Sequence, residues 1–144
     1  MDLERFTAAA DEMVNRIPPL FLEGLNGGIV VRRRARRNPG DPAGVFILGE
    51  YITDPALGCY IALYWGSFVE LFNGEEAAVW EAELWETIKH ELRHHVEARA
   101  GEYALDLEDE AELAQMRAEA PPEEALPQPR RFRLQGKIKR PGRE

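Results

Sequence analysis

The stretch EEAAVWEAELWETIKHELRHHVEARAG, residues 75–101, carries the strongest structural pattern in this chain. Good helix formers dominate it, and it contains neither glycine nor proline before Gly101. It therefore predicts one helix of about 25 residues that stops at this glycine. Leu84, Ile88 and Leu92 recur at helical spacing and predict the face that packs on the core.

The segments on either side of this helix predict an α+β domain. A helix is expected before a Pro-Pro pair at 18–19, then apolar, β-branched and aromatic segments typical of strands, then a further helix. The long helix is expected to pack on a small mixed or antiparallel sheet. We assign residues 1–120 to this domain and 121–144 to a basic, proline-containing tail that is poorly ordered or loosely docked. The predicted helices are 2–16, 75–100 and 105–120, and the predicted strands are 29–37, 45–52 and 59–72.

Charge divides the chain into two parts. Residues 1–120 carry 23 acidic and 11 basic side chains, a balance of −12, whereas residues 121–144 carry 3 acidic and 7 basic, a balance of +4. The acidic body argues against a nucleic-acid-binding domain. No apolar run approaches the roughly 20 residues of a membrane span, and the N-terminus lacks the pattern of a signal peptide. The lone Cys59 fits a reducing compartment, so we predict a cytoplasmic protein.

His90, Glu91 and His94 form an HExxH motif inside the predicted helix. Because residues four apart lie one turn apart on one face, the two imidazoles can bind one zinc ion. Glu91 points about 100° away, which suits a general base acting on a zinc-activated water. The motif predicts a zinc hydrolase with Glu91 as the catalytic residue. A solvated helix face that happens to carry two histidines is the alternative.

The third zinc ligand has to come from outside the motif, since a catalytic zinc needs three protein ligands. The one other histidine, His95, falls on the apolar stripe of the helix and is predicted to be packed and hydrogen-bonded. The next helix offers carboxylates, of which we favour Asp109 or Glu108 without separating them. The same acidic run also fits the solvated start of a helix. The candidates are Asp106, Glu108, Asp109 and Glu110.

The chain resembles the small bacterial zincin-like metallopeptidase family. The resemblance covers roughly residues 1–118 and rests on MDLERFTAAADEMVNRIPPLF, on YIALYWGSF before the helix, and on ETIKHELRHHVEARAG. It implies a minimal zincin fold, zinc at His90 and His94, and a catalytic Glu91. The chain departs from the HExGHHxG pattern of many members, because Arg93 and Glu97 replace the two glycines and Ala100 stands where an aspartate is expected.

Zincins generally pair an extended peptide with an edge strand above the active-site helix. CYIALYWGSF, residues 59–68, is our candidate for this edge strand, with an interior strand as the alternative. The predicted function is therefore hydrolysis of a peptide or flexible protein segment with one zinc ion. The competing hypothesis is a catalytically inactive metal-binding or protein-interaction module of the same fold.

Two basic runs stand out, RRRARR at residues 32–37 and RRFRLQGKIKR at 130–140. Basic runs of this kind can contact nucleic-acid phosphates. The first is more often a solvated edge strand whose charges oppose aggregation, and within a strand it would place alternate arginines on one face. The second could fold against the acidic body as an autoinhibitory or structural segment. The sequence leaves the oligomeric state open.

Overall fold

The computed structural model describes residues 1–106 and 128–133. These residues form an α+β fold with a four-stranded mixed sheet, which confirms the predicted class. No helix in these two ranges is both long enough and apolar enough to cross a membrane. The elements in chain order are α1 Leu3–Asn15, α2 Pro19–Leu22, β1 Gly28–Arg32, β2 Val45–Asp54, β3 Gly58–Tyr64, α3 Trp65–Phe72, α4 Ala77–Asp106 and β4 Arg130–Arg133.

The strand order of the sheet is β1-β3-β2-β4. β1 runs parallel to β3, whereas β2 is antiparallel to both β3 and β4. A tight turn joins β2 to β3, where the Asp54 carboxylate accepts hydrogen bonds from the backbone N–H groups of Ala56 and Leu57 at 2.7 and 2.9 Å. Because β3 is bonded on both sides, it is not the expected edge strand, and the alternative of an interior strand is confirmed.

The predicted strand 59–72 ends early, at Tyr64, and its second half is helix α3. The side chains of Phe68, Leu71 and Phe72 are all buried there at helical spacing. Gly66 lets the start of this helix approach the chain after β1, because a Cβ atom would lie 2.5 Å from the carbonyl carbon of Arg34. The aromatic residues that favoured a strand pack instead as a helix on the sheet.

Helix α4 is the predicted long helix, and it continues past Gly101 to Asp106. The predicted stop at Gly101 is therefore wrong. The helix can continue because a glycine inside a helix costs only about 1 kcal/mol relative to alanine. Leu84 and Ile88 are fully buried on the sheet side, as the apolar stripe predicted. Trp80 is also buried, and its indole N–H donates to the carbonyl oxygen of Phe72 at 2.9 Å.

Helix α1 closes the other end of the core. Asp2 caps its first turn, since the Asp2 carboxylate accepts a hydrogen bond from the backbone N–H of Arg5 at 2.8 Å. Phe6 is fully buried, with its ring centroid 4.9 Å from that of Phe68 and 6.2 Å from that of Trp80. These contacts hold α1, α3 and α4 together on one face of the sheet.

The basic run 32–37 is not one strand, since β1 ends at Arg32. Arg36 forms an isolated bridge with Ile47 of β2, and its guanidinium lies 3.2 Å from the Glu50 carboxylate. The expected alternation of arginines along a strand is therefore wrong. Four of them instead line an open cavity with Glu50 and Tyr64; these are Arg32, Arg33, Arg34 and Arg36.

Residues 128–133 of the tail dock on the domain, with β4 pairing to the start of β2. The pairs are Val45 with Arg133, Phe46 with Phe132, Ile47 with Arg131 and, after a bulge, Gly49 with Arg130. The expected poorly ordered tail thus includes a segment that completes the sheet. Residues 107–127, including most of the predicted third helix, lie outside the described ranges.

Gly49 allows a close approach between β2 and α4. A Cβ atom at this position would lie 2.5 Å from Cγ2 of Thr87 and 3.4 Å from Cγ of Glu91. Because strands on both sides hold β2 in place, we expect Gly49→Ala to lower the free energy of unfolding by about 1–3 kcal/mol. Urea denaturation measures this change. Gly40→Ala is the matched control, since its Cβ would meet open space, and an equal loss in both variants would contradict the explanation.

Candidate active site

The imidazoles of His90 and His94 point at the same atom. They stand one turn apart on α4, with ring centroids 4.9 Å apart and ring planes at 90°. Their Nε2 atoms lie 3.1 and 2.8 Å from the backbone carbonyl oxygen of Gln128. A carbonyl oxygen can only accept hydrogen bonds, so both rings donate from Nε2 here. Two nitrogen atoms of α4 thus converge on one oxygen of the docked tail.

Glu91 lies beside this pair with its side chain fully buried. One carboxylate oxygen, Oε2, accepts a hydrogen bond from the backbone N–H of Arg130 at 2.7 Å and lies 4.0 Å from Nε2 of His90. The other oxygen, Oε1, is buried and has no hydrogen-bond partner among the described residues. Burying an oxygen without a hydrogen-bond partner costs free energy.

Burial raises the pKa of Glu91 to about 8. The negative charge of Glu50 raises this pKa further. The backbone N–H groups of Arg130 and Tyr51 lower it, Arg130 by more than Tyr51. Burial also lowers the pKa of His90, against the effect of its bond to the Gln128 carbonyl. Both shifts have the same physical origin, because a low dielectric disfavours the charged form of each group.

The donor set at this position suits a zinc ion. His90, Glu91 and His94 are the one group of three or more His, Cys, Asp or Glu residues within 1–106 and 128–133 whose ligand atoms lie close enough to share a metal, all within 4.8 Å of one another. Zinc takes imidazole nitrogen and carboxylate oxygen readily. Two Nε2 atoms that converge on one point can bind such an ion once their hydrogens are carried by Nδ1, and the buried Glu91 carboxyl group lies beside them.

The expected third ligand is not among the described carboxylates. Asp106 ends α4, twelve residues after His94, and thus about 18 Å away along the helix axis. The helix therefore carries the backbone of Asp106 away from the histidine pair. Glu108, Asp109 and Glu110 lie outside the described residues. Within those residues, the oxygen that faces both imidazoles is the carbonyl oxygen of Gln128.

His95 is a packed core residue, as its position on the apolar stripe predicted. It is 1% exposed, and its Nε2 lies 2.6 Å from the carbonyl oxygen of Glu23, to which it can only donate. In a neutral ring Nδ1 then accepts the hydroxyl hydrogen of Tyr51, with 2.9 Å between the two atoms. His95 thereby ties α4 to β2 and to the segment after α2.

Sequence reasoning missed four residues of the site, because they meet it only through tertiary contacts. The Arg130 guanidinium donates to the Thr87 hydroxyl at 2.7 Å, to the backbone carbonyl of Glu83 at 2.9 Å and to the Glu83 carboxylate at 2.8 Å. Gln128 supplies the carbonyl oxygen that faces the histidines. The opposite charges of tail and body were the one signal in the sequence that pointed toward this docking.

Comparison with solved structures gives a similarity that covers most of this chain. No family model matches the chain, and no curated protein matches it. Among solved structures, the chain is similar to a conserved hypothetical protein from Thermus thermophilus, with a TM-score of 0.62 and 40% sequence identity. The similarity covers 70% of this chain and 99% of that one. At this identity and coverage, the chain belongs to the same family as that conserved hypothetical protein.

Proposed function

We propose that this protein is a zinc-dependent peptidase of the zincin-like type. The observation that carries the proposal is that Nε2 of His90 and Nε2 of His94 converge on one peptide carbonyl oxygen, at 3.1 and 2.8 Å, beside the buried carboxyl group of Glu91. His90 and His94 would hold the ion, with Asp109 or Glu108 as the proposed third ligand. When bound, zinc would lower the pKa of a water molecule and polarise a carbonyl group.

Glu91 is the proposed general base. Glu91 lies one residue from His90 on the same turn, with Oε2 4.0 Å from Nε2 of His90. From there it can accept a proton from the attacking water and return it to the leaving amine nitrogen. Its burial between α4 and β2 keeps bulk water away, so the proton remains at the site.

A peptide is the proposed substrate because the sheet edge beside the site accepts an extended chain. β4 pairs antiparallel with β2, and the chain just before it brings a peptide carbonyl to the two imidazoles. Main-chain pairing of this kind binds peptides with little dependence on their side chains. A flexible protein segment fits this edge better than a folded domain does.

We further propose that the protein acts in the cytoplasm, since its single cysteine, Cys59, is a free thiol that suits a reducing compartment. The competing hypothesis is an inactive module that binds metal or a protein partner through the same fold. In favour of this alternative, β4 covers the edge where a substrate would pair.

The test is removal and return of the metal. Purified protein should bind about one zinc ion per chain by atomic emission analysis, as expected for a single catalytic site. Hydrolysis of unfolded casein should cease after chelation and return when zinc is added. Failure to take up zinc from an excess would contradict the proposal. Zinc binding without hydrolysis, in a protein whose tail has been loosened as described below, would favour the inactive module.

A further inference from the structure

We propose that the groove between β2 and α4 is an arginine-selective peptide site, and that residues 128–133 of the same chain are its resident occupant. The arginine recognised is the one two residues after the carbonyl that faces His90 and His94. Glu83 and Thr87 are the specificity-determining residues. The inference names the substrate class of the proposed peptidase and rests on that function for where cleavage would occur.

The backbone of the tail segment lies in the groove as a bound peptide would. Arg130 pairs with Gly49 across the ladder, and its N–H also donates to Glu91 at 2.7 Å. Two residues earlier, the carbonyl of Gln128 faces both imidazoles. One short segment thus contacts the sheet edge, the proposed base and the proposed metal ligands together. A strand that served only to complete the sheet would need the contact with the sheet edge and neither of the other two.

The pocket for the Arg130 side chain is built for a guanidinium group. Glu83 supplies a carboxylate oxygen at 2.8 Å and its backbone carbonyl oxygen at 2.9 Å, and Thr87 supplies a hydroxyl oxygen at 2.7 Å. The side chains of the ion pair are only 19% and 24% exposed. Acceptors for two different terminal nitrogens suit the planar fork of arginine, whereas lysine would present one compact charge.

The next two residues of the tail segment add contacts on opposite faces of the sheet. The Arg131 guanidinium donates to Asp41 at 2.9 and 3.2 Å. Phe132 points toward the core, where its ring centroid lies 5.2 Å from that of Phe72. The segment that docks is basic overall, whereas residues 1–120 carry a balance of −12. Charge therefore favours a basic extended peptide in this groove over an acidic one.

Because the tail is covalently attached, it competes with any incoming peptide at a high effective concentration. We therefore expect the full-length chain to bind added peptide weakly until its own segment is loosened. Arg130→Ala removes the arginine contacts of the tail and leaves the histidines, Glu91 and the pocket residues in place. This variant should have a freer groove.

The experiment measures binding of the capped, fluorescently labelled peptide QPRRFR, the sequence of residues 128–133, by fluorescence anisotropy. The full-length Arg130→Ala chain should bind it about tenfold more tightly than the wild-type chain does. Replacing the first arginine of the peptide with alanine should weaken binding to this variant about tenfold, a loss typical of charge-assisted hydrogen bonds. Adding Glu83→Gln to the chain should cause a similar loss. Adding Glu81→Gln, an exposed position on the same helix, should cause little.

Equal binding of the arginine and alanine peptides, or an equal effect of Glu83→Gln and Glu81→Gln, would overturn the proposal. Circular dichroism of each variant checks that the fold is retained, and binding that fails in folded variants also counts against it. The assay needs no metal and no turnover, so it separates the two proposals. Arginine-selective binding without hydrolysis would refute the peptidase and keep the groove. Zinc-dependent hydrolysis without arginine selectivity would support the peptidase and refute the arginine-selective groove.

Discussion

Glu91→Gln is expected to reduce the rate of peptide hydrolysis by about 100- to 10,000-fold, the usual contribution of a general base. The amide matches the carboxylate in shape and can still accept the hydrogen bond from the backbone N–H of Arg130, which Oε2 accepts at 2.7 Å. It cannot take up the proton of the attacking water. Zinc content should stay near that of the wild type, because the two imidazoles that would hold the ion are unchanged.

The measurement pairs turnover of a fluorogenic peptide with zinc analysis of the same sample. Glu97→Gln is the matched control, since it makes the same chemical change on an exposed position of α4. It should retain nearly all activity. Glu91→Gln protein that loses its zinc would reassign Glu91 to a ligand role. A variant that keeps both zinc and activity would refute the proposed base.

His94→Ala is expected to abolish tight zinc binding. Its Nε2 is one of the two nitrogen atoms that converge on the Gln128 carbonyl, at 2.8 Å, and removing it leaves His90 as the one imidazole that faces this point. Removing a metal ligand should weaken zinc binding by more than the roughly 10- to 100-fold that follows removal of a residue that hydrogen-bonds to a ligand. Competition with a chromogenic zinc chelator measures the dissociation constant, and peptidase activity should disappear with the metal.

His95→Ala provides the contrast at the neighbouring position. His95 donates to Glu23 and accepts from Tyr51 in the core, so its loss should lower the melting temperature and leave zinc affinity nearly unchanged. Zinc loss in His95→Ala but not in His94→Ala would contradict the site. The same titration on Asp109→Ala and Glu108→Ala identifies the third ligand, because the variant that removes it should behave like His94→Ala.

The geometry of Glu91 shows how a local motif gains its setting from distant parts of the chain. The sequence places Glu91 one residue after His90 and predicts that it points away from the pair. It does not show that the side chain is fully buried against β2, or that burial raises its pKa to about 8. Both depend on Gly49, which lies 42 residues earlier and has no side chain to keep α4 away.

By itself, the sequence determined helix α4, the common face of His90 and His94 and the packed position of His95, because each depends on residues within a few turns of one helix. Only the tertiary structure decided that β3 is interior and that the tail docks beside the histidines through Gln128 and Arg130. Strand neighbours and docked segments are chosen by long-range pairing and burial. The local pattern of a strand is the same whether one edge is bonded or both are.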